Sequence, residues 1–325
     1  MKFRTRLIWP LLAISSLCVP ALSSAQDAYP SKPIHIINPY APGGVADVLA
    51  RALSDRLGAS LPTPFVIESR SGGAGNIGTD YVAQMPGDGY TWLIATTSNA
   101  ANMALMPNIR TDLLNAFTPV AQFAYSPNYF VVPASLPVST VHEYVALAKS
   151  KPGALNYGSG GIGSTPHLGF ELFKHVAGID VMAVHYKGAP PIIPDLASGR
   201  LSATYMPASL AIGQAKSDRV KVIATVSDVR TKDFPDVPTM AEAGYGKAVV
   251  APWFAVLVPK STPPAIVKRI ESAVRTAVAS PELAQQFASA GAVPRFGDSA
   301  ATTRMISDEI QSWRALVKAT GIKAE

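Results

Sequence analysis

The sequence has 325 residues, of which 28 are lysine or arginine and 22 are aspartate or glutamate, giving a formal charge of +6. This mild positive excess suits small acidic ligands, and the absence of a basic run with interleaved aromatic residues argues against nucleic-acid binding. A chain of this length exceeds the size at which a single hydrophobic core usually stops growing, so we expect two domains.

The N-terminal segment is typical of a cleavable secretory signal peptide. Three basic residues precede an apolar run over residues 7–19, which Pro10 interrupts and which is too short to span a membrane. Small residues predict cleavage after Ala25, so residues 1–25 form the signal and the mature protein is exported. Cleavage removes three basic residues and no acidic ones, leaving a formal charge of +3, and it removes Cys18, the only cysteine. The mature chain therefore has no thiol or disulfide chemistry.

The first mature unit is predicted to be a strand, a glycine loop and a helix. Residues 33–38 are typical of a strand, Gly43 and Gly44 form the loop, and apolar residues at helical spacing follow over residues 45–57. Asp47 lies in the first turn, where the helix dipole favours a carboxylate. It caps the helix, or it orders the loop or holds a polar group of a ligand.

A buried strand over residues 90–95 leads into four hydrogen-bonding side chains, Thr96, Thr97, Ser98 and Asn99. Open α/β sheets bind ligands at the carboxyl ends of their strands. These four side chains are therefore ligand-binding candidates, and ordinary loop hydrogen bonding is the alternative.

Two apolar stretches predict strands that cross between the domains. Residues 128–132 are bounded by prolines, and residues 251–258 are typical of the returning strand. We therefore expect residues 26–127 and 252–325 to form domain 1 and residues 128–251 to form domain 2. Three helices in the C-terminal part are predicted to close domain 1.

The most informative segment is residues 156–167, which again has the order strand, glycine loop, helix. Ser164 or Thr165 suits the N-cap, and Pro166 suits the first helical position. Backbone amides of a glycine loop and a helix start bind anions. The alternative is a plain tight connection between strand and helix.

The same loop matches G-x-G-x-x-G through Gly158, Gly160 and Gly163, which suggests a dinucleotide site. Such a site needs an acidic residue at the end of the next strand. The nearby acid, Asp180, precedes that strand and lies at its wrong end. Dinucleotide binding, as in an oxidoreductase, is therefore a weak alternative.

A secreted enzyme acting on a carboxylate is the other alternative. The sequence contains no G-x-S-x-G motif and no group of residues at metal-ligand spacing, so we expect no catalytic residue, no metal and no cofactor. His167 near Ser164 is the one pairing that suggests acyl transfer. Its place at a helix start, with Pro166 between, favours a loop-ordering role.

Motifs along nearly the whole mature chain resemble those of one family. They are Tyr40-Ala41-Pro42-Gly43-Gly44 with Asp47 and Arg51, Gly75-Asn76-Ile77-Gly78, Pro86-Gly87-Asp88-Gly89-Tyr90-Thr91, Leu155-Asn156-Tyr157 with the glycine loop and His167-Leu168, His185-Tyr186-Lys187-Gly188, Phe234-Pro235-Asp236-Val237-Pro238-Thr239 and Ala241-Glu242-Ala243-Gly244. In this order, behind a signal peptide, they make the chain similar to the tripartite tricarboxylate transporter receptors, the extracytoplasmic solute receptors also called the Bug family.

The resemblance implies an α/β, two-domain periplasmic binding protein of the type II-like, Venus flytrap class, with two crossing strands. It implies a periplasmic receptor that is not an enzyme, that binds a small carboxylate as a monomer and that delivers it to membrane subunits of the transporter. The binding residues that it implies are Tyr40, Pro42, Gly43, Gly44, Val45, Ala46, Asp47, Thr96, Thr97, Ser98, Asn99, Gly158, Gly160, Gly161, Gly163, Ser164, Thr165, His167, Lys187, Gly188, Met206 and Pro207.

The chain departs from the family pattern at Met206, where members often carry aspartate or asparagine. The resemblance then implies that the distal end of the ligand meets an apolar wall at this position.

Overall fold

The computed structural model describes residues 29–106, 108–161, 164–186 and 188–321. The predicted signal peptide lies outside these ranges. Within them the strands are β1 (Ile34–Asn38), β2 (Phe65–Ser69), β3 (Thr91–Thr96), β4 (Phe117–Tyr125), β5 (Asn128–Pro133), β6 (Asn156–Ser159), β7 (Met182–His185), β8 (Ala203–Pro207), β9 (Val220–Val226), β10 (Trp253–Pro259) and β11 (Val293–Gly297).

The helices alternate with these strands, which is the pattern of an α/β protein. They are α1 (Val45–Leu57), α2 (Asn76–Ala83), α3 (Thr97–Leu105), α4 (Leu113–Ala116), α5 (Val141–Ser150), α6 (Thr165–Ala177), α7 (Ile192–Ala197), α8 (Ala208–Ala215), α9 (Pro264–Val278), α10 (Pro281–Ser289) and α11 (Ser299–Thr320). None of the helices within the described ranges combines the length and apolar character needed to span a bilayer.

The first sheet has the strand order β11-β4-β10-β3-β1-β2. β1 runs parallel to β2 and β3, whereas β10 runs antiparallel to β3 and β4. One face of the sheet packs against α1, α9 and α10, and the other packs against α2, α3 and α11. The three predicted C-terminal helices are thus present as α9, α10 and α11, and they cover both faces of this sheet.

The second sheet has the strand order β7-β6-β8-β5-β9, with β6 parallel to both of its neighbours. α5 and α6 cover one face around Phe130, and α7 and α8 cover the other face around Tyr129. Since consecutive residues of a strand point to opposite faces, the two aromatic neighbours anchor two separate apolar layers.

The chain crosses between the sheets twice, and both crossings are short. β4 ends at Tyr125 and β5 begins at Asn128, while β10 begins at Trp253. The amide of Ser126 donates a hydrogen bond to the carbonyl of Pro252 over 2.7 Å, so the two crossings lie side by side.

The predicted crossing strands need a correction. β5 belongs wholly to the second sheet and β10 wholly to the first, so neither strand is itself shared between the sheets. An apolar strand next to a proline indicates burial, but it does not indicate which sheet pairs with it. We propose that the domain boundaries lie at these crossings, between residues 127 and 128 and between residues 251 and 252.

Candidate functional site

The carboxyl edges of both sheets lie beside the crossings. β3 ends at Thr96, which pairs with Phe254 next to the returning crossing. β8 ends at Pro207, which pairs with Asn128 next to the outward crossing. Because β1 is parallel to β3, and β6 and β7 are aligned with β8, the helices that follow these strands also begin near the crossings. The starts of α1 and α3 on one side and of α6 and α8 on the other therefore lie next to the crossings, and we propose that they border one cleft.

The loop before α1 is ordered by Asp47. The amide of Gly43 donates to the Asp47 carboxylate over 3.0 Å, and Arg51 donates two bonds to the same carboxylate, each of 3.1 Å. Burial raises the pKa of Asp47, but the bonds from Arg51 and Gly43 and the Arg51 charge outweigh it, so the pKa is lowered. Of the roles considered for Asp47, the contacts support loop ordering, since Oδ2 accepts a bond from the loop amide of Gly43 and both oxygens accept bonds from Arg51 of α1.

The first-turn amides at the start of α1 are the candidates for binding an anion. Gly44 occupies the N-cap, so no side chain within the described ranges caps the helix there. The first-turn amides belong to Val45, Ala46 and Asp47, and residues 41–45 are exposed. Gly43 has φ +76°, a backbone conformation that glycine adopts without strain. This loop has the geometry of a helix N-terminal anion site.

Tyr40 connects this loop to the start of α3. Its hydroxyl lies 2.6 Å from Thr96 Oγ1, and it donates to Asn99 Oδ1 over 2.9 Å. Burial raises the pKa of Tyr40 to about 12, and hydrogen bonds with Thr96 and Ser98 oppose that rise. Tyr40 is therefore neutral at physiological pH and positions one helix start against the other.

Three of the four polar residues at the junction of β3 and α3 form hydrogen bonds inside the protein. Thr96 and Asn99 form a reciprocal capping box at the start of α3, and Thr97 Oγ1 accepts a bond from the backbone amide of Trp253 over 3.1 Å. All three are buried, whereas Ser98 is partly exposed. These residues form a helix start and not a loop, and their ligand-binding role stays a prediction. Thr96 and Asn99 have the spacing of a capping box, which is the signal that could have revealed it.

The glycines of the second loop have different roles. A Cβ atom on Gly158 would lie 2.8 Å from side-chain atoms of Ile192 and Leu201, so this glycine allows core packing and does not line the cleft. Gly160 accepts a bond from the amide of Gly188 over 3.1 Å, which joins this loop to the loop after β7. Gly161 has φ +126°, which a residue with a side chain rarely adopts.

The start of α6 is less open to an anion than the start of α1. Ser164 is the N-cap and its Oγ accepts a bond from the amide of His167 over 3.4 Å. Pro166 has no amide proton, so Thr165 offers the remaining first-turn amide, together with its partly exposed side chain. Gly163 and Lys187, which were also predicted to bind ligand, lie outside the described residues.

Two histidines lie beside this loop. Ser159 Oγ and His185 Nδ1 are 2.7 Å apart, and the ring centres of His185 and His167 are 4.8 Å apart in an edge arrangement. Burial, together with the neighbouring His185 and Lys174, lowers the pKa of His167 to about 4, and Glu171 opposes this shift. His167 is therefore neutral at physiological pH. His185 was not predicted as a site residue, although its register opposite Ser159 on neighbouring parallel strands brings the two side chains to one face.

The prediction for Met206 is wrong. Its side chain is 2% exposed and packs with Tyr129 and the apolar residues of α7 and α8, so it forms no wall of the cleft. Alternation along β8 turns Tyr205 to one core layer and Met206 to the other. Pro207 and the amide of Ala208, which donates to Pro127 over 3.2 Å, stand at the outward crossing.

In the ranges that the structure describes, no group of three or more histidine, cysteine, aspartate or glutamate side chains is placed to hold a metal ion.

Comparisons with known proteins agree with this architecture. The model of the tripartite tricarboxylate transporter family receptors matches residues 49–322. The chain is 35% identical over 314 residues to protein BugT of Bordetella pertussis, which covers 96% of this chain and 95% of that protein.

Two solved structures combine a similar fold with a bound carboxylate. One is a protein of R. palustris solved with adipate, with a TM-score of 0.74, 34% identity and coverage of 91% of this chain and 99% of that one. The other is MatC from Rhodopseudomonas palustris with bound malate, with a TM-score of 0.69, 25% identity and coverage of 89% and 100%.

Proposed function

The chain belongs to the tripartite tricarboxylate transporter receptor family, and on that premise we propose that it binds a small carboxylate in the cleft between its two sheets. Receptors of this family are periplasmic proteins that bind small carboxylates and work with tripartite transporters. The chain is thus a solute-binding receptor and not an enzyme, which replaces the hydrolase and dinucleotide alternatives.

The observation that carries the proposed site is the exposed loop at residues 41–45, followed by the first-turn amides of α1. A carboxylate at these amides would gain charge-assisted hydrogen bonds of about 1.5–3 kcal/mol each, enough for micromolar binding after the entropy costs. Arg51 balances the charge of Asp47, so that carboxylate does not repel the ligand strongly.

The second half of the proposed site lies across the cleft. Gly160, Gly161 and Thr165 border it from the other sheet, and Ser98 borders it from the start of α3. Adipate and malate, bound in two similar proteins, each carry two carboxylates separated by a short chain. We infer that this chain takes a ligand of that class, with one carboxylate at α1 and the other end toward the loop before α6. A ligand that touches both domains favours the closed cleft.

The cellular role follows from the same premise. We propose that the predicted signal peptide directs the chain to the periplasm, where it works as a monomer and passes its ligand to the membrane subunits of the transporter. Growth on the identified ligand should then depend on those subunits. Growth that persists after deletion of all of them would contradict this part of the proposal.

The direct test is a thermal-shift screen of the mature protein against a carboxylate panel that includes adipate and malate. A ligand at about 100 times its dissociation constant should stabilise the protein by roughly 2.7 kcal/mol. Mass spectrometry should recover the ligand unchanged after incubation. Failure of every carboxylate to stabilise the protein, or chemical conversion of a ligand, would contradict the proposal.

A further inference from the structure

A partly buried carboxylate joins two tryptophans at the interdomain crossing. Glu309, on α11, accepts a hydrogen bond from the indole of Trp253 and a second one from the indole of Trp313 over 3.1 Å. Trp253 is the first residue of β10, directly after the returning crossing, and Trp313 lies one turn further along α11. One side chain therefore holds the crossing against the last helix.

Trp253 also contacts the elements that border the cleft. Its backbone amide donates to Thr97 Oγ1 at the start of α3, and its neighbour Pro252 accepts the bond from Ser126 of the other crossing. Any rotation of the domains that bends residues 251–253 must therefore move the Trp253 indole relative to Glu309.

Trp313 lies in an apolar cluster formed by both domains. The cluster joins Ala101 and Leu105 of α3 to Leu168 of α6 and to Val250 before the crossing. Since α3 and α6 both begin at the cleft, their contact through this cluster corresponds to an arrangement in which the cleft walls are held together.

A cavity of about 310 Å³ next to Glu309 is lined by residues of both domains. Gln122, Met305 and Trp253 contribute from the first domain, and Leu172 and Val249 contribute from the second domain. Glu309 itself lines this cavity, and the cavity walls move relative to each other when the domains rotate.

We propose that Glu309 is a positioning residue of the receptor, which holds both indoles and thereby stabilises the domain arrangement in which the cleft binds its carboxylate. This inference rests on the proposed function for its effect on affinity, but the clamp itself can be tested without a ligand. We call Glu309 with Trp253 and Trp313 the indole clamp.

The clamp should respond to pH near neutrality. Burial raises the pKa of Glu309 to about 7, and the bonds from the two indoles oppose that rise. The charged groups facing the same cavity are Asp228 and Lys247 from the segment before the crossing, Arg295 from β11 and Asp308 from α11. Arg295 pairs with Asp228 at 3.0 Å, and Asp308 is exposed, so burial remains the main influence on Glu309.

The direction of the effect follows from the raised pKa. Glu309 binds its proton more tightly in the described arrangement than in one that exposes it to water. Acid therefore stabilises the described arrangement relative to the open one, and this stabilisation is lost as pH rises through 7. If opening restores the ordinary carboxyl pKa, the equilibrium ratio of the described arrangement to the open one is roughly tenfold greater at pH 6 than at pH 8. Carboxylate affinity should therefore increase as pH falls over this range.

The experiment uses the mature protein, Glu309→Gln and the matched control Asp308→Asn on the same helix. Tryptophan emission of the ligand-free proteins is followed from pH 5.5 to 8.5, with small-angle scattering at pH 6 and 8. We expect a titration near pH 7 and a larger scattering radius at pH 8 in the wild type and in Asp308→Asn, and neither change in Glu309→Gln.

Calorimetry with adipate and malate then measures the effect on binding. From pH 8 to pH 6, the affinity of the wild type should increase up to tenfold more than the affinity of Glu309→Gln. This comparison cancels the titration of other groups, because both proteins contain them. A wild-type emission that does not change with pH, or an equal titration in Glu309→Gln, overturns the clamp. If Glu309→Gln abolishes the titration of the ligand-free protein, the clamp is supported whether or not either carboxylate binds. Failure of the proposed function is therefore recognised separately.

Discussion

The backbone amide of Gly43 donates a hydrogen bond to the carboxylate of Asp47, 3.0 Å away, and so the loop that opens α1 is fixed by a residue of that same helix. The bond ties the loop to α1 at Gly43, a position with positive φ. The proposed anion site thus depends on a side chain that need not touch the ligand.

Replacing Asp47 should weaken binding without unfolding the protein. Asp47→Ala removes the bond to Gly43 and the pair with Arg51, a loss of about 1–2 kcal/mol in loop ordering, which corresponds to roughly tenfold in affinity. Asp55→Ala, an exposed acid on the same helix, is the matched control and should bind as the wild type does. Calorimetry with the ligand from the screen measures both, and equal affinity of the two variants would contradict the loop-ordering role.

A side chain at Gly43 should block the approach of the ligand. Gly43→Val places a branched side chain at an exposed position with positive φ, where nothing lies within 4 Å of the added Cβ. Gly244 also has a positive φ and open surroundings, so Gly244→Val carries a similar backbone strain far from the cleft. Both variants should lose similar stability in denaturant titrations, but only Gly43→Val should lose carboxylate binding.

The second loop should respond to the same kind of change. A Cβ atom on Gly160 would be in contact with the backbone of Gly188 at 3.4 Å, so the two branches of Gly160→Val would crowd the junction of the two loops. We expect a strong loss of affinity with the fold retained. Gly58→Val, at an open helix end, is the control. Wild-type affinity in Gly160→Val would remove this loop from the proposed site.

Some features of the fold and of the candidate site could be predicted from the sequence, and others could not. The order strand, glycine loop, helix correctly predicted β1 with α1 and β6 with α6, because local spacing determines these units. The inward direction of Met206 and the core contacts of Gly158 could not be predicted, since both depend on which residues pack against β6 and β8 from α7. The indole clamp joins Trp253 to Glu309, 56 positions apart, and no local pattern indicates such a pair.

His167 should contribute to the pH dependence of stability. Its pKa is lowered to about 4, so its contribution is present above the ordinary histidine pKa and is lost as pH falls from 6.5 toward 4. The wild type should lose on the order of 1–3 kcal/mol more than His167→Gln over that interval. Chemical denaturation at several pH values measures the difference, and parallel curves for the two proteins would contradict it.

Ligand binding should change tryptophan fluorescence through Trp253. The Trp92 indole donates to Gly89 inside the first domain, so it should sense hinge bending little. Trp253→Phe should remove most of the saturable ligand signal, while calorimetry still detects binding that is weakened by the loss of one indole of the clamp. A ligand that binds by calorimetry but changes neither the emission nor the scattering radius would indicate a rigid cleft.

The most direct test of the account is a crystal structure of the mature protein with the carboxylate that stabilises it most in the screen. The account predicts a carboxylate within hydrogen-bond distance of the amides of Val45, Ala46 and Asp47, and the other end of the ligand near Gly160 and Thr165. A carboxylate bound away from both loops, with these amides bonded only to solvent, would contradict it.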